Sequence, residues 1–177
     1  LGTFVGAYAA EYGYFDMLKW AHENNIPKSE WVCARAIKNG HFDILKWAHN
    51  HGYIWNVYTC AIAAKYGHLE ILKWLRINGC LWDTTTCTCA AKSGNFEILK
   101  WAYEQGCPLI PNDRICDATI ENGHLEILKW LVQTGCTLDL IHCITAIKYG
   151  QLEILKWLYL THKHLFSPFN YLLYHTA

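Results

Sequence analysis

Apolar residues follow one pattern along the chain, and that pattern is repeated six times. Within residues 68–77, apolar side chains are spaced three and four positions apart, which predicts an amphipathic helix with a wide apolar stripe. Glu70 and Lys73 lie three residues apart on the remaining face, where opposite charges stabilise each other modestly. The same acid–base pair returns at Asp16/Lys19, Asp43/Lys46, Glu97/Lys100, Glu126/Lys129 and Glu153/Lys156. We interpret these charges as a solvated helix face rather than as catalytic carboxylates.

A turn glycine precedes each copy of this helix. These glycines are Gly13, Gly40, Gly67, Gly94, Gly123 and Gly150, at spacings of 27, 27, 27, 29 and 27 residues. A shorter segment rich in small residues comes before each turn, as at Ala63 and Ala64, and small side chains let neighbouring helices approach closely. Because a fixed period of this size is typical of repeat architectures, the pattern predicts an all-α solenoid of stacked helix–turn–helix repeats with short loops.

The period also gives the repeat boundaries. We expect one array over residues 1–177, with repeats at 3–28, 29–55, 56–82, 83–109, 110–138 and 139–165 and a helix of a partial seventh at 166–177. A second glycine, or Asn25 in the first repeat, is expected to end the longer helix, whereas the sixth repeat has Lys163 there, which suggests a changed C-terminal geometry. Two extra residues around Ile110 and Pro111 lengthen one loop. Since each unit would contact only its neighbours, an elongated rod with a curved face is expected.

The runs AAKYGHLEILKWLRINGC and AAKSGNFEILKWAYEQGC resemble the ankyrin repeat, and the resemblance extends over about residues 4–160. The usual ankyrin unit has 33 residues, so these copies are shorter; Cys60 and Ala61 stand where the family has Leu-His. This abbreviated form is similar to the expanded repeat families of amoeba-infecting giant DNA viruses and of some protists. The resemblance implies a protein-binding role in an intracellular setting, the host cytoplasm or a virion, and names no partner.

Composition narrows the classes of partner. Lys plus Arg and Asp plus Glu number 15 each, so the chain lacks the basic excess that favours nucleic-acid binding. No run of apolar residues is long enough to cross a membrane, and we expect neither a nucleic acid nor a membrane as partner. The chain begins without Met or a signal peptide, as if entered midway through a longer sequence. Its terminal segments are apolar, so we expect flanking repeats or a neighbouring subunit to cover them.

Columns of cysteine, tryptophan and histidine also recur with the repeat, and each has a structural interpretation. Eight of the nine cysteines fall into two columns, after the closing glycines and in the first helices, and without a CxxC pair we expect free, buried thiols and no metal. Successive members of one column are expected about one repeat apart, beyond disulfide reach, and pairs between the columns, such as Cys80 with Cys87 or Cys107 with Cys116, could be closer. One tryptophan column is expected on or beside the apolar stripe of the second helices, as core packing: Trp20, Trp47, Trp74, Trp101, Trp130 and Trp157. The histidines after the turn glycines are expected to satisfy free N–H groups of their own helix.

The partner-binding site is expected on the concave face formed by the first helices and adjoining loops, by which ankyrin-like arrays generally bind. Tyrosine and tryptophan bury much area at low entropic cost and dominate binding hot spots. The candidate residues are Tyr8, Tyr12, Trp31, Arg35, Tyr58, Tyr66, Asp117 and Tyr149. Trp55 and Trp82 are loop aromatics that fit packing between repeats equally well.

The sequence therefore predicts a non-enzymatic scaffold that binds another protein. A structural or assembly component of a larger complex, such as a viral particle, is the alternative. No phosphate-binding glycine loop, HExxH or GxSxG motif is present, and we expect no catalytic residue and no cofactor.

Overall fold

A computed structural model of the chain describes residues 2–110 and 113–166. Over these residues the chain forms twelve α-helices and no β-strand, which confirms the all-α helix–turn–helix prediction. The helices are α1 (Gly2–Tyr12), α2 (Phe15–Glu23), α3 (Trp31–Lys38), α4 (Phe42–Asn50), α5 (Val57–Lys65), α6 (Leu69–Ile77), α7 (Thr84–Lys92), α8 (Phe96–Glu104), α9 (Asp113–Glu121), α10 (Leu125–Gln133), α11 (Leu140–Lys148) and α12 (Leu152–Thr161). A short 3₁₀ helix follows at Lys163–Phe166. The helix predicted for a partial seventh repeat lies outside the described residues except for Phe166.

Odd-numbered helices are the first helices of the repeats, and even-numbered helices are the second. The structure divides into two compact units, one of Leu1–Ala90 with Glu97–Leu109 and one of Ala91–Phe96 with Ile110–Ala177. In the first unit α1 packs on α2 and α3, α3 on α4 and α5, and α5 on α6. In the second unit α9 packs on α10 and α11, and α11 on α12. Within each unit, a first helix therefore contacts its own second helix and the neighbouring first helix.

The turn at Gly40 shows how the chain reverses between the two helices of a repeat. Gly40 has φ 74°, a left-handed conformation that glycine adopts without strain. The Gly40 N–H donates to the Ile37 carbonyl at 3.0 Å and the His41 N–H to the Ala36 carbonyl at 2.9 Å. This pair of bonds is a Schellman motif, which satisfies two carbonyl groups at the end of the first helix. Asn25, at φ 55°, takes the left-handed closing position that the sequence predicted for it.

The core lies between the two helices of each repeat. Ile71, Leu72 and Leu75 of α6 are buried, and so are Ala63 and Ala64 of α5. The small alanines of the first helix let the branched side chains of the second helix approach its backbone closely. The apolar stripe predicted for the second helix is therefore confirmed.

The tryptophan column contacts neighbouring repeats but lies less deep than expected. The Trp74 ring is half-buried, with its edge against Phe42 at a centroid distance of 5.7 Å and His49 at 5.5 Å. Trp20 in the first repeat is 56% exposed. These rings thus cover the boundary between consecutive second helices, and placing them in the core was wrong.

The histidines after the turn glycines do not bond to N–H groups of their own helix. None of their side chains makes an N-cap hydrogen bond. Each ring nitrogen Nε2 instead lies within hydrogen-bond distance of a backbone carbonyl oxygen near the end of the first helix of the previous repeat. The distances are 3.3 Å from His41 to Glu11, 3.5 Å from His68 to Lys38 and 3.2 Å from His124 to Lys92. The expectation was wrong because the unsatisfied group within reach is a helix C-terminal carbonyl of the previous repeat.

The cysteines pair within a repeat, twenty residues apart. The Cys60 thiol donates to the Cys80 carbonyl at 3.9 Å, and Cys116 and Cys136 form a disulfide. The expectation that every thiol is free is therefore wrong for Cys116 and Cys136, and no other cysteine of the described residues forms a disulfide. The cysteines in contact are those of one repeat, because the second helix carries the chain back to the start of its own first helix.

Candidate functional site

On each of the first helices α1, α3 and α5, four positions at or near the helix point to the same side. They lie at spacings of four, seven and eight residues, which place them on one helix face. We call the resulting surface the first-helix face. It consists of Phe4, Tyr8, Glu11 and Tyr12 on α1, Trp31, Arg35, Lys38 and Asn39 on α3, and Tyr58, Ile62, Lys65 and Tyr66 on α5. Six of these twelve residues were predicted from the sequence as partner-binding residues.

An aromatic ladder runs along α1 on this surface. Ring centroids are 6.4 Å apart between Phe4 and Tyr8 and again between Tyr8 and Tyr12. All three side chains are exposed. The Arg35 guanidinium lies 4.6 Å from the centroid of the Tyr8 ring, a cation–π contact that fixes both groups. The ladder therefore presents large apolar rings in a defined arrangement without burying them in the protein.

Charges on the first-helix face are arranged around one carboxylate. The Glu11 carboxylate forms an ion pair with Arg35 and lies 3.3 Å from Nζ of Lys38. Glu11 belongs to α1 and both cations belong to α3, so these ion pairs join the first two repeats. Lys65 is the third cation, with its Nζ 5.5 Å from the centroid of the Tyr66 ring. The face thus carries three cations and one carboxylate, and that carboxylate is already paired.

A depression of about 280 Å³ opens on this surface. Its walls include Glu11, Trp31, Arg35, Lys38, Lys65 and Tyr66. Three predicted residues, Trp31, Arg35 and Tyr66, are thus brought together here. Protein-binding surfaces with aromatic and arginine side chains around a central hollow are typical of hot-spot clusters.

Tyr58 lies on the first-helix face outside this depression. It is the second residue of α5, whose start is fixed by a capping box. The Asn56 side chain accepts from the Tyr58 N–H at 3.0 Å, and the Thr59 hydroxyl accepts from the Asn56 N–H at 3.1 Å. Since the cap orients the first turn, the exposed Tyr58 ring is held at a defined place on the face.

The two remaining predicted residues belong to the second unit. The Asp117 carboxylate accepts a hydrogen bond from the Thr145 hydroxyl at 3.1 Å, which links α9 to α11. Tyr149 is exposed, and the Lys148 Nζ lies 5.1 Å from its ring centroid. Asp117 therefore already has a structural partner, whereas Tyr149 offers an exposed ring.

The loop tryptophans pack between repeats. The Trp55 ring stacks on His49 at 4.0 Å and meets Trp74 of the next repeat edge-on at 5.7 Å. The Trp82 ring lies beneath the Arg76 guanidinium at 4.1 Å. Trp82 also meets Trp101 edge-on at 5.8 Å, beside a second depression of about 400 Å³ near Lys73. Because these rings are held by second-helix side chains, we assign them to packing rather than to the partner site.

Sequence reasoning missed Glu11, Lys38 and Lys65. They occupy one repeat column, in the last turn of the first helices, and the column continues as Lys92, Glu121 and Lys148. A cation in the last turn of a helix has an ordinary explanation in the helix dipole. The available signal was that the first repeat carries Glu11 where the second carries Lys38, because opposite charges at this position predict an ion pair between neighbouring repeats.

Burial and hydrogen bonds between cysteines shift the pKa values of the buried thiols. Burial raises the pKa of the Cys33 thiol to about 12. A hydrogen bond to Cys80, together with burial, raises the pKa of Cys60, and the same bond lowers the pKa of Cys80. Over residues 2–110 and 113–166, no group of three or more His, Cys, Asp and Glu side chains is arranged to hold a metal ion.

Comparisons with known proteins identify the repeat type. A family model of three ankyrin repeats matches residues 60–142, and a model of many ankyrin repeats matches residues 32–76. Together these matches extend from α3 into α11. No curated protein matches the sequence. Among the described residues, no helix has both the length and the apolar character needed to span a membrane.

Proposed function

Because the chain belongs to the ankyrin repeat family, we propose that it is a non-enzymatic scaffold that binds a partner protein through the first-helix face. Ankyrin repeats generally mediate protein–protein interaction. The observation that carries the proposal is the exposure of six large aromatic side chains on α1, α3 and α5. They are Phe4, Tyr8, Tyr12, Trp31, Tyr58 and Tyr66.

The two sides of a repeat differ in how many aromatic rings they expose. The first-helix face exposes six rings, whereas Trp20 is the exposed ring among the described residues of α2, α4 and α6. The second helices also carry solvated ion pairs three residues apart, as between Glu70 and Lys73 at 2.7 Å, and such pairs contribute little energy. Because exposed rings would bury much area against a partner, their concentration on α1, α3 and α5 favours the first helices as the binding surface.

Site-specific cross-linking in the native cell tests the proposal. The photoreactive amino acid p-benzoylphenylalanine would replace Tyr58 on the first-helix face, or Glu70 on the second helix of the same repeat as the control. We expect protein cross-links from position 58 and few from position 70. The captured protein is then purified, and its affinity for the whole chain is measured directly.

Alanine variants then locate the binding energy. Trp31→Ala removes an exposed ring beside the depression, and losses of 2 kcal/mol or more, about thirtyfold in Kd, are typical of hot spots. Ile77→Ala is the control, because Ile77 is 84% exposed on a second helix. Equal affinity losses from the two variants would contradict the proposal.

An assembly component is the second candidate, and exposed aliphatic residues of the second unit favour it. These are Ile141, Ile144, Ile147, Leu152 and Leu160. They would be covered by flanking repeats of the same chain or by a neighbouring subunit. Sedimentation of the purified chain over a wide concentration range tests this role, and a chain that stays monomeric throughout would count against it.

The setting of the scaffold is part of the proposal. We place it inside cells, in a host cytoplasm or a virion, and propose that the six repeats and partial seventh over residues 1–177 are the short variety found in giant DNA viruses. The seven cysteines that form no disulfide support a reducing compartment. The Cys116–Cys136 disulfide is the bond that this setting would reduce.

A further inference from the structure

The charges of the first-helix face restrict the chemistry of the partner. Three cations and one carboxylate give this face a formal charge of +2, although the whole chain has a net charge of zero. The cations are Arg35, Lys38 and Lys65. Because complementary charges raise the rate and selectivity of association, an acidic segment is attracted to this face and a basic segment is repelled.

The single carboxylate on the face does not offer a site for a basic partner. Glu11 is paired with Arg35 and Lys38, and its side chain is only 21% exposed. Lys38 has a side chain that is 46% exposed, and Lys65 is also exposed. Both ammonium groups can therefore meet an incoming carboxylate while Glu11 keeps its place between α1 and α3.

The depression adds an apolar requirement. Trp31 and Tyr66 are on its walls together with the three cations. A volume of about 280 Å³ is below the range of pockets for drug-sized ligands, so the hollow suits a single bulky side chain. A partner segment that fits would insert one aromatic or large aliphatic residue here and hold acidic residues on either side.

We propose that the first-helix face binds an acidic protein segment with one bulky apolar anchor. The anchor enters the depression between Trp31 and Tyr66, and flanking carboxylates pair with Lys38 and Lys65. This inference rests on the proposed scaffold function and specifies the partner of the same surface.

Single-stranded nucleic acid shares part of this chemistry, because bases stack on aromatic rings and phosphates pair with cations. Its affinity, however, depends on neutralising many phosphates. One of the three cations here, Arg35, is occupied by both Glu11 and the Tyr8 ring. Too few cations are left to follow a phosphate backbone, and a protein segment fits the surface better.

Fluorescence anisotropy with labelled synthetic probes tests the proposal on the full chain. The probes are a short Asp/Glu-rich peptide with a central Trp, the same peptide with Ala for Trp, a Lys-rich peptide with the central Trp, and a short oligouridylate. The variant is Lys65→Glu. Lys148→Glu is the matched control, because Lys148 also ends a first helix and lies beside a tyrosine, but in the second unit. Circular dichroism confirms that both variants fold.

We expect the acidic peptide with Trp to bind about tenfold more tightly than each of the other probes. Lys65→Glu should weaken its binding about tenfold and Lys148→Glu should leave it unchanged. Equal binding of acidic and basic peptides, tighter binding of oligouridylate, equal losses from both variants, or no binding of any peptide would each overturn the inference.

The design separates this inference from the proposed function. If the captured partner requires Trp31 but is basic or uncharged at the contact, the acidic-segment proposal fails and the scaffold function stands. If the captured partner binds equally well to Trp31→Ala, both fail.

Discussion

The substitution Gly94→Ala tests the contact by which one repeat holds the turn of the preceding repeat. Gly94 has φ 77°, and a left-handed conformation costs a residue with a Cβ about 1–2 kcal/mol. A Cβ on Gly94 would also lie 2.7 Å from Cε1 of His124, so the imidazole ring must move. The ring would then lose its hydrogen bond to the Lys92 carbonyl, 3.2 Å long, at a cost of about 0.5–1.5 kcal/mol.

Gly106→Ala is the control that isolates the ring contact. Gly106 has φ 79°, and no atom of the described residues lies within 4 Å of a Cβ built on it. This variant should lose only the backbone contribution of about 1–2 kcal/mol, whereas Gly94→Ala should lose about 1.5–3.5 kcal/mol. For a chain of this length, the extra loss of about 0.5–1.5 kcal/mol corresponds to about 1–6 °C in Tm.

Urea unfolding followed by circular dichroism and by tryptophan fluorescence measures both free energies, and coincident transitions show that a two-state treatment is valid. Repeating Gly94→Ala in a His124→Ala background closes a double-mutant cycle. There the new Cβ meets no imidazole, so the loss should fall to that of Gly106→Ala. The reasoning is refuted if Gly94→Ala costs no more than Gly106→Ala, or if its cost is unchanged without the His124 ring.

Three further predictions concern the core and the thiols. Leu72→Ala should lower the free energy of unfolding by about 2–5 kcal/mol because the Leu72 side chain is fully buried. Ile77→Ala, at an exposed position, should change it by less than about 0.5 kcal/mol. Similar losses for the two variants in urea titrations would contradict the assignment of Leu72 to the core. The unfolded chain releases the Cys33 proton near about pH 8.5, but the folded chain holds it until about pH 12. The Cys33 contribution to stability is therefore complete below about pH 8.5 and is lost as the pH rises, by up to about 1.4 kcal/mol per pH unit. In urea titrations between about pH 8 and 10, the free energy of unfolding should fall less steeply with pH for Cys33→Ala than for the unaltered chain. Equal slopes for the two proteins would refute this. The unfolded, unreduced chain should give seven thiols by Ellman titration and nine after reduction, and nine before reduction would show that Cys116 and Cys136 are not bonded.

The helices and turns could be predicted because their signals are local. Apolar spacing within 68–77 defines a helix wherever it occurs, and the observed helix covers Leu69–Ile77. The turn at Gly40 likewise needs only a residue that accepts a positive φ at that position. Because the pattern occurs in six copies at a nearly constant period, the helix predicted in one repeat is supported by the same prediction in the others.

Contacts between repeats were harder to predict. His41 directly precedes the second helix α4, and the local sequence suggested that its side chain would satisfy N–H groups of that helix. Its observed partner is the carbonyl of Glu11, thirty residues earlier, and only the stacking of repeats brings the two together. A hint was present at Gln151, which replaces histidine in the same column and donates to the Glu121 carbonyl at 3.0 Å.

Part of the candidate site could be predicted, because some of its residues stand out within a single column of the repeat. Variable, large residues in the first-helix columns pointed to Trp31, Arg35 and Tyr66, which line one depression. Lys38 looked like an ordinary helix-terminal lysine until the structure placed it 3.3 Å from Glu11 of the preceding repeat. The charge of a surface shared by several helices emerges from their packing, which single columns of sequence do not reveal.

The indole N–H signals of the nine tryptophans provide the most direct test of partner binding through the first-helix face. Trp31 lies on that face and Trp20 on α2, and the two are 53% and 56% exposed. In a ¹H–¹⁵N NMR titration of the labelled chain with the captured partner, we expect the Trp31 indole signal to shift or broaden while the Trp20 signal stays in place. A shift at Trp20 with none at Trp31 would place the partner on the second helices and contradict the account.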